Sequence, residues 1–285
     1  MRWTPGGRSA DLEDRRGQGG GGGFRLGGGR LGIGGFIILA ILSIIFRRNF
    51  FALVGAGPDT SGQTTVNGTP PPTTPEEEKM IQFVSFVLDD VQNTWTREFE
   101  KDGQTYRRAK LDLFTDTVQS GCGYAQTAMG PFYCPVDQKA YIDLGFYKEL
   151  KDRFGAPGDF AQAYVLAHEI GHHVQHQLGI DDKVRAAQER DPDRANELSV
   201  RLELQADCFA GVWAHSTQQR NILEEGDIDE ALNAAAAVGD DRIQQQATGS
   251  VNPETWTHGS ARQRTQWFRT GYESGDVNRC DTFAG

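Results

Sequence analysis

Apolar positions are spaced unevenly along the chain, and this spacing divides it into an N-terminal region and one folded domain. Residues 31–46 form a sixteen-residue run without a charge, and residues 50–54 can extend it if Arg47 and Arg48 reach towards the interface. We therefore expect a transmembrane anchor over residues 31–54. A cleaved signal peptide is the alternative, although only a weakly permissive cleavage site follows the run.

The segments on either side of this run have compositions that do not build a core. Residues 1–30 combine a glycine tract with six arginines, which predicts a disordered basic tail. Residues 55–75 are rich in Pro, Thr, Gly and Ser, which predicts a flexible linker. Six arginines precede the apolar run and two follow it. The positive-inside rule then predicts a single-pass protein of the cell membrane, with a cytoplasmic N-terminus and an extracytoplasmic domain.

Residues 76–285 show the alternating and helical periodicities of one α+β domain, mainly helical with a small sheet. A capping box at Thr74–Glu77 starts a helix that extends to about Phe99. Short strands are predicted at 110–114 and 140–144. Further helices are predicted at 160–178 with Asp159 as N-cap and Gly179 as stop, at 191–215 with Asp191 as N-cap, at 227–246 and at 260–268.

An H-E-x-x-H motif, His168–His172, lies in the middle of the predicted helix 160–178. Residues four apart lie on one helix face, so both imidazoles can bind one ion. Glu169 lies beside them, where a carboxylate can act as general base towards a water molecule activated by the ion. Gly171 weakens the helix by about 1 kcal/mol relative to alanine, and close packing beside a metal would explain it.

A third metal ligand is expected from the next predicted helix, because catalytic zinc usually has three protein ligands. Glu203 and Asp207 are four residues apart and share a face with Ala206 and Ala210. We expect Glu203 to bind the metal and Asp207 to accept the N–H of a ligand histidine. The alternative is an ordinary solvated acidic face.

The motif His168–His172 followed by Glu203-x-x-Ala206-Asp207 resembles the gluzincin arrangement of zinc peptidases. The chain is also similar to the putative neutral zinc metallopeptidase family, which consists of membrane-anchored bacterial proteins. The resemblance rests on the stretches 120–147, 203–211, 239–246 and 256–264 and on the initial Met-Arg-Trp. It implies a zincin-like fold, one Zn²⁺ per chain and a metalloendopeptidase activity. Zinc peptidases commonly carry a late residue that stabilises the oxyanion, and His258 is the candidate for this catalytic role. A capping or core histidine is the alternative.

The four cysteines lack the C-x-x-C spacing of a thiolate zinc site. Cys122 and Cys134 bracket a glycine-rich loop, which leaves Cys208 and Cys280. An even number in an exported domain predicts two disulfides, Cys122–Cys134 and Cys208–Cys280; free cytosolic thiols are the alternative.

Charge excludes some partners of the domain. Residues 1–48 hold eight arginines and three acidic residues, which leaves 21 basic and 36 acidic residues in the rest of the chain. This balance argues against nucleic acid or anionic lipid as a partner. We expect a peptide or protein substrate, with the membrane contacted only through residues 31–54.

The hypothesis is therefore a membrane-anchored zinc endopeptidase that uses Glu169 as its base. A non-catalytic zinc-binding scaffold that keeps the peptidase fold is the main alternative, although such a protein has no use for Glu169. A zinc hydrolase that acts on another kind of substrate is the third possibility.

Overall fold

The computed structural model describes residues 1–17, 72–152 and 154–284. The predicted anchor, residues 31–54, and nearly all of the predicted linker lie outside these ranges. Within the described ranges, no helix combines the length and the apolar character needed to cross a membrane.

The described chain contains six short strands and eight α-helices, a composition that confirms an α+β fold. The strands are β1 (Leu12–Asp14), β2 (Lys110–Phe114), β3 (Thr117–Ser120), β4 (Gly123–Gln126), β5 (Phe132–Cys134) and β6 (Lys139–Asp143). The helices are α1 (Pro75–Lys101), α2 (Leu144–Asp152), α3 (Asp159–Gln177), α4 (Ile180–Arg190), α5 (Ala195–Gln219), α6 (Asp227–Ala237), α7 (Asp240–Thr248) and α8 (Ala261–Ser274).

One four-stranded sheet has the order β1-β2-β6-β5. Its first three strands are parallel, and β5 is antiparallel to β6. Strands β3 and β4 form a separate hairpin. The sheet therefore ends at β1 on one side and at β5 on the other, and β5 is the end that lies close to helix α3.

Helix α3 lies at the centre of the core and is buried over most of its length. It packs against α5, α6 and α1. Phe160 of α3 stacks on Trp213 of α5, and Trp95 of α1 meets Phe209 of α5 edge to face. All four rings are almost fully buried, so α3 and α5 are held side by side by a rigid aromatic layer.

Both predicted disulfides are present, with the predicted pairing. Cys122–Cys134 joins the β3–β4 hairpin to the edge strand β5, and Cys208–Cys280 joins α5 to the C-terminal segment. No cysteine remains free.

The prediction of a disordered tail over residues 1–30 is wrong for residues 1–17. Met1 is only 5 % exposed and belongs to the main core, and Trp3 packs edge to face on Phe83 of α1. Residues 12–14 pair with β2. The arginines and glycines of this segment concealed the few apolar positions that make it part of the fold.

Two predicted N-caps are also wrong. Asp159 lies inside the first turn of α3, after Gly158, and its carboxylate accepts a hydrogen bond from the Met1 amine instead. Asp191 precedes a 3₁₀ turn, whose Arg194 amide donates to the Asp191 carbonyl, and α5 begins only at Ala195. The predicted capping box at Thr74 and the left-handed stop at Gly179 are confirmed.

The helix predicted over residues 227–246 is interrupted between Ala237 and Asp240. A Cβ on Gly239 would lie 2.4 Å from the amide nitrogen of Ala261, so only glycine lets the start of α8 approach here. The interruption separates α6 from α7 and turns α7 towards the site described below.

Candidate metal and catalytic site

Helices α3 and α5 bring together the three predicted ligand side chains. His168 and His172 project from α3 and Glu203 projects from α5, with their ligand atoms all within 4.8 Å of one another. His168 Nε2 is 3.1 Å from Glu203 Oε2, and His172 Nε2 is 3.4 Å from Glu203 Oε1. The structure therefore places Glu203 beside two histidines that precede it by 31 and 35 positions in sequence.

Each histidine is oriented through its Nδ1 atom by an acceptor behind it. His168 Nδ1 lies 2.9 Å from Asp207 Oδ1, and His172 Nδ1 lies 2.8 Å from Gln175 Oε1. An Nδ1–H that donates to these oxygens leaves both Nε2 lone pairs directed at Glu203. This is the tautomer in which neutral imidazoles bind a metal through Nε2.

The donor set fits zinc. Two imidazole nitrogens and one carboxylate oxygen are typical ligands of catalytic zinc, which keeps a further position for water or substrate. Burial alone would raise the pKa of Glu203, but the neighbouring His172 and His168 hold that pKa well below its usual range. Burial would lower the pKa of His168, whereas the charge of Asp207 and hydrogen bonds to Asp207 and Glu203 raise it to about 10. The buried carboxylates thus favour a positive charge between the ligand atoms.

Asp207 is a fully buried carboxylate with three partners. Besides His168, it accepts hydrogen bonds from the Tyr164 hydroxyl at 2.5 Å and from Arg264 at 2.8 and 3.0 Å. Arg264 belongs to α8 and is 3 % exposed. The Arg264 guanidinium balances the charge of Asp207, and both fix the position of His168.

Gln175 links His172 to the C-terminal segment. Its amide nitrogen donates to the Leu202 carbonyl at 2.7 Å and to Gln205 Oε1 at 3.1 Å, which leaves its oxygen for His172. Gln205 in turn donates to the carbonyl of Cys280 at 3.0 Å. A chain of hydrogen bonds thus connects a candidate ligand to the Cys208–Cys280 disulfide.

Glu169 is 7 % exposed and lines the same cavity as the two histidines that flank it in the motif. Burial raises the pKa of its carboxyl, against the opposing effect of His168 and His172. A carboxylate with a raised pKa is a stronger base, which suits a group that accepts a proton and returns it.

His258 lies at the rim of this cavity, with its side chain 52 % exposed. Its Nδ1 is 3.2 Å from Asp240 Oδ1, while Asp240 Oδ2 accepts the backbone amides of Thr257, His258 and Gly259 at 2.7–3.0 Å. Burial would lower the pKa of His258, but Asp240 and Glu203 raise it. Asp240 therefore fixes the loop and favours a cationic imidazole.

The cavity has a volume of about 990 Å³ and forms a cleft between α3, α5, α7 and the loop before β5. Its polar centre consists of the site residues described above. Its walls are mostly apolar and include Met129, Phe132, Phe146, Phe154, Val165 and Ile243. The dimensions and lining suit an extended ligand with at least one apolar side chain.

Three other histidines lie away from the candidate ligand atoms. His173 is buried between the Tyr133 hydroxyl and the Arg107 carbonyl. His176 pairs with Asp181, and His215 contacts the Tyr272 carbonyl at 2.7 Å.

Comparison with known proteins decides the family. A family model described as "Putative neutral zinc metallopeptidase" matches residues 1–283. The chain belongs to this family. It is 47 % identical over 291 residues to the Escherichia coli K12 protein named "Uncharacterized protein YpfJ", which covers 99 % of each chain.

A second group of relatives covers less of the chain. The chain is 51 % identical to the Mycobacterium tuberculosis H37Rv protein named "Uncharacterized protein Rv2575" over 190 residues. This aligned region corresponds to 63 % of the chain and 64 % of the relative. The Mycobacterium bovis protein named "Uncharacterized protein Mb2605" matches to the same extent. No solved structure matches the chain. Family membership therefore supports zinc and a peptidase at the level of the family.

Sequence reasoning missed three residues that orient the site. Gln175 is three residues after His172 on the same helix, so the i, i+3 spacing could have indicated it. Arg264 lies within a stretch quoted for the family resemblance, but nothing in its spacing indicated that it contacts Asp207. Asp240 lies 18 residues before His258, and no local pattern connects the two.

Proposed function

We propose that the protein is a zinc-dependent endopeptidase with Glu169 as its general base. The observation that carries this proposal is the position of Glu169 in the cleft beside the three grouped ligand side chains. Bound zinc would be held by His168, His172 and Glu203, and it would polarise a peptide carbonyl and acidify a water molecule.

The residues of the chain would then handle the protons. Glu169 accepts a proton from the attacking water and later transfers it to the leaving amine, for which its raised pKa is suitable. His258, oriented by Asp240, donates a hydrogen bond to the carbonyl oxygen as negative charge develops there. Asp207 and Gln175 keep the two imidazoles in the correct tautomer.

An extended peptide has one evident strand to pair with. Among the described strands of the sheet, β1 covers the outer edge of β2, whereas β5 pairs only with β6 and lines the cleft through Phe132 and Tyr133. We assign the substrate-binding edge to β5, where backbone pairing gives affinity and the apolar walls select side chains.

We also propose that the protein acts outside the cytoplasm and is attached to a membrane through residues 31–54. The disulfides support an oxidising compartment, because such crosslinks persist there. The attachment rests on the apolar run alone.

A cleavage screen tests the proposal. The full-length protein, purified with about one zinc per chain, is incubated with a proteome-derived peptide library, and new termini are identified by mass spectrometry. We expect cuts with an apolar residue next to the scissile bond. Stoichiometric zinc without cleavage of peptides or folded proteins would contradict the proposal and favour the scaffold.

A further inference from the structure

Residues 1–17, here called the arm, contact the starts of α3 and α6, helix α1 and strand β2. The arm begins near the start of α3, continues along α1 and ends as strand β1 beside β2. Neither the family description nor the names of the relatives assign a role to it. The contacts of the arm do not involve the candidate site residues, so the inference drawn from them does not depend on the proposed peptidase activity.

The first residues of the arm contact the starts of α3 and α6. The Met1 ammonium lies 2.7 Å from Asp159 Oδ1 and 3.1 Å from Asp227 Oδ1, and the Arg2 amide donates to the Ile222 carbonyl at 2.7 Å. Asp159, Asp227 and Glu230 form a cluster of carboxylates, which the ammonium partly neutralises. The pKa of this ammonium is lowered by burial but raised overall by the two aspartates.

The middle of the arm packs on α1 and on the segment before β2. Trp3 contacts the rings of Phe83 and Phe86. Arg8 pairs with Glu78 at 2.6 Å and Ser9 donates to Asp89 at 2.8 Å. Each polar contact at this surface contributes little alone, but together they fix one register.

The end of the arm is a strand of the central sheet. Leu12, Glu13 and Asp14 pair with Leu111, Asp112 and Leu113. The Leu111 amide donates to the Asp11 carbonyl and the Arg15 amide donates to the Leu113 carbonyl, both at 2.8 Å. The Arg15 guanidinium is 2.9 Å from Asp112, a carboxylate with no solvent exposure.

The arginines of the arm form ion pairs within the folded domain. Arg8, Arg15 and Arg16 were counted as a cytoplasmic topology signal, but each pairs with a carboxylate, and Arg16 is 3 % exposed. A strand cannot pair with its neighbour across a bilayer. A single membrane crossing between residues 17 and 72 would place β1 and β2 on opposite sides and break the pairing.

We infer that the arm is a permanent part of the catalytic domain and lies in the same compartment as that domain. The predicted single-pass topology, with the N-terminus and the domain on opposite sides, is incompatible with this arrangement. Any attachment of residues 31–54 to a membrane then has to return the chain to the side on which it started.

Paired cysteine labelling tests the shared compartment. All four native cysteines are in disulfides, so one new thiol reports one position. Thr4→Cys marks the exposed part of the arm, and Val136→Cys marks the domain at a side chain that is 72 % exposed. The full-length variants are expressed in bacteria, and spheroplasts are treated with a membrane-impermeant maleimide before or after permeabilisation.

We expect the two positions to be labelled under the same condition. Labelling of Val136→Cys in intact spheroplasts, with labelling of Thr4→Cys only after permeabilisation, would overturn the inference. The opposite pattern would overturn it as well.

Hydrogen exchange tests the docking itself in the purified full-length protein. The Leu111 amide is protected by the Asp11 carbonyl only while the arm is docked. The variant Trp3→Ala with Arg8→Glu removes contacts between the arm and α1, and it leaves the pairing of β2 with β6 in place. We expect faster exchange at Leu111 and unchanged exchange in α5. Rapid exchange of Leu111 in the wild type, or no difference between the two proteins, would overturn the docking.

Discussion

At the scale of single residues, both imidazoles of the candidate site are oriented by buried acceptors, Asp207 and Gln175, which are not themselves candidate ligands. The sequence motif predicted His168, His172 and Glu203 because helical spacing is encoded locally. It predicted Asp207 for the same reason. Gln175 contacts His172 on the same helix, and the i, i+3 spacing could have indicated it. Its contacts with Leu202 and Gln205 of α5, which leave its oxygen for His172, have no local signature.

Gln175→Leu should weaken zinc binding by about 10–100-fold, since partners that orient a ligand histidine typically contribute this much. The leucine keeps the volume but leaves His172 Nδ1 without its acceptor. A competitive zinc titration with a chromophoric chelator measures the effect. Gln162→Leu is a matched control on the same helix, because the Gln162 oxygen has no hydrogen-bond partner among the described residues. Equal zinc affinities in the two variants would contradict the orienting role.

Gly171 lies where two helices pack closely. The sequence predicts that close packing beside a metal explains its missing side chain, and the structure identifies α5 as the packing partner. In the structure a Cβ at this position would lie 3.1 Å from the Ala206 carbonyl oxygen and 3.2 Å from Ala206 Cα of α5. The glycine thus sets how closely α3 and α5 approach, and this approach brings Glu203 to the histidines.

At the scale of elements, α5 and α8 pack with their backbones in close approach. A Cβ on Gly211 would be 2.1 Å from the Phe268 carbonyl oxygen, and one on Gly271 would be 2.0 Å from that of Cys208. This packing brings Arg264 of α8 to Asp207. The sequence predicted helices at 191–215 and 260–268, and the second prediction ended before Gly271. The contact between the two helices depends on glycines, which lower helix propensity and gave no sign of a pairing.

Loss of the Cys208–Cys280 disulfide should affect both stability and the metal. The 72-residue separation gives the crosslink on the order of 4 kcal/mol in the chain-entropy model. The Cys280 carbonyl also accepts a hydrogen bond from the Gln205 amide, and Gln205 Oε1 accepts one from the Gln175 amide. Cys280→Ser should therefore lower the melting temperature and weaken zinc binding, as measured by calorimetry and chelator titration.

Cys134→Ser is the control for this prediction. It removes the disulfide with a separation of 12 residues, which joins the β3–β4 hairpin to β5 and does not involve the helix that carries Glu203. We expect a smaller loss of stability and unchanged zinc affinity. Zinc affinity that falls equally in both variants would contradict the proposed path through Gln205.

At the scale of the whole molecule, the sequence predicted an α+β domain with two disulfides but separated residues 1–17 from it. Composition indicated disorder there because glycine and arginine outnumber apolar residues. The arm is ordered by partners 60 or more residues away, among them Phe83 and the strand β2. Long-range strand pairing is the part of a fold that local patterns predict least well.

Asp112, the partner of Arg15 in the arm, gives the protein a specific pH dependence. Burial raises the pKa of Asp112 from 3.8 to about 6, and the Arg15 guanidinium only partly offsets this effect. Between pH 3.8 and about pH 6, the Asp112 carboxyl group is protonated in the folded protein and ionised in the unfolded chain. The free energy of unfolding should therefore fall by about 3 kcal/mol as pH rises from about 4 to about 6.

Asp112→Asn should remove this part of the pH dependence, whereas Arg15→Gln should enlarge it because the favourable charge is lost. Urea unfolding at several pH values between 4 and 7 measures both effects. A wild-type dependence that persists unchanged in Asp112→Asn would show that another group is responsible.

The central claim is that Glu169 is the base of a zinc peptidase and not a ligand. The most direct test compares zinc content and peptide hydrolysis in the wild type and in Glu169→Gln, purified in parallel. If Glu169 is the base, the variant should have the same zinc content as the wild type and a free energy of unfolding within about 1 kcal/mol of it. Its rate of peptide hydrolysis should be lower by about 10²–10⁴-fold. Hydrolysis at the wild-type rate in a zinc-loaded Glu169→Gln protein would contradict the role of Glu169 as base.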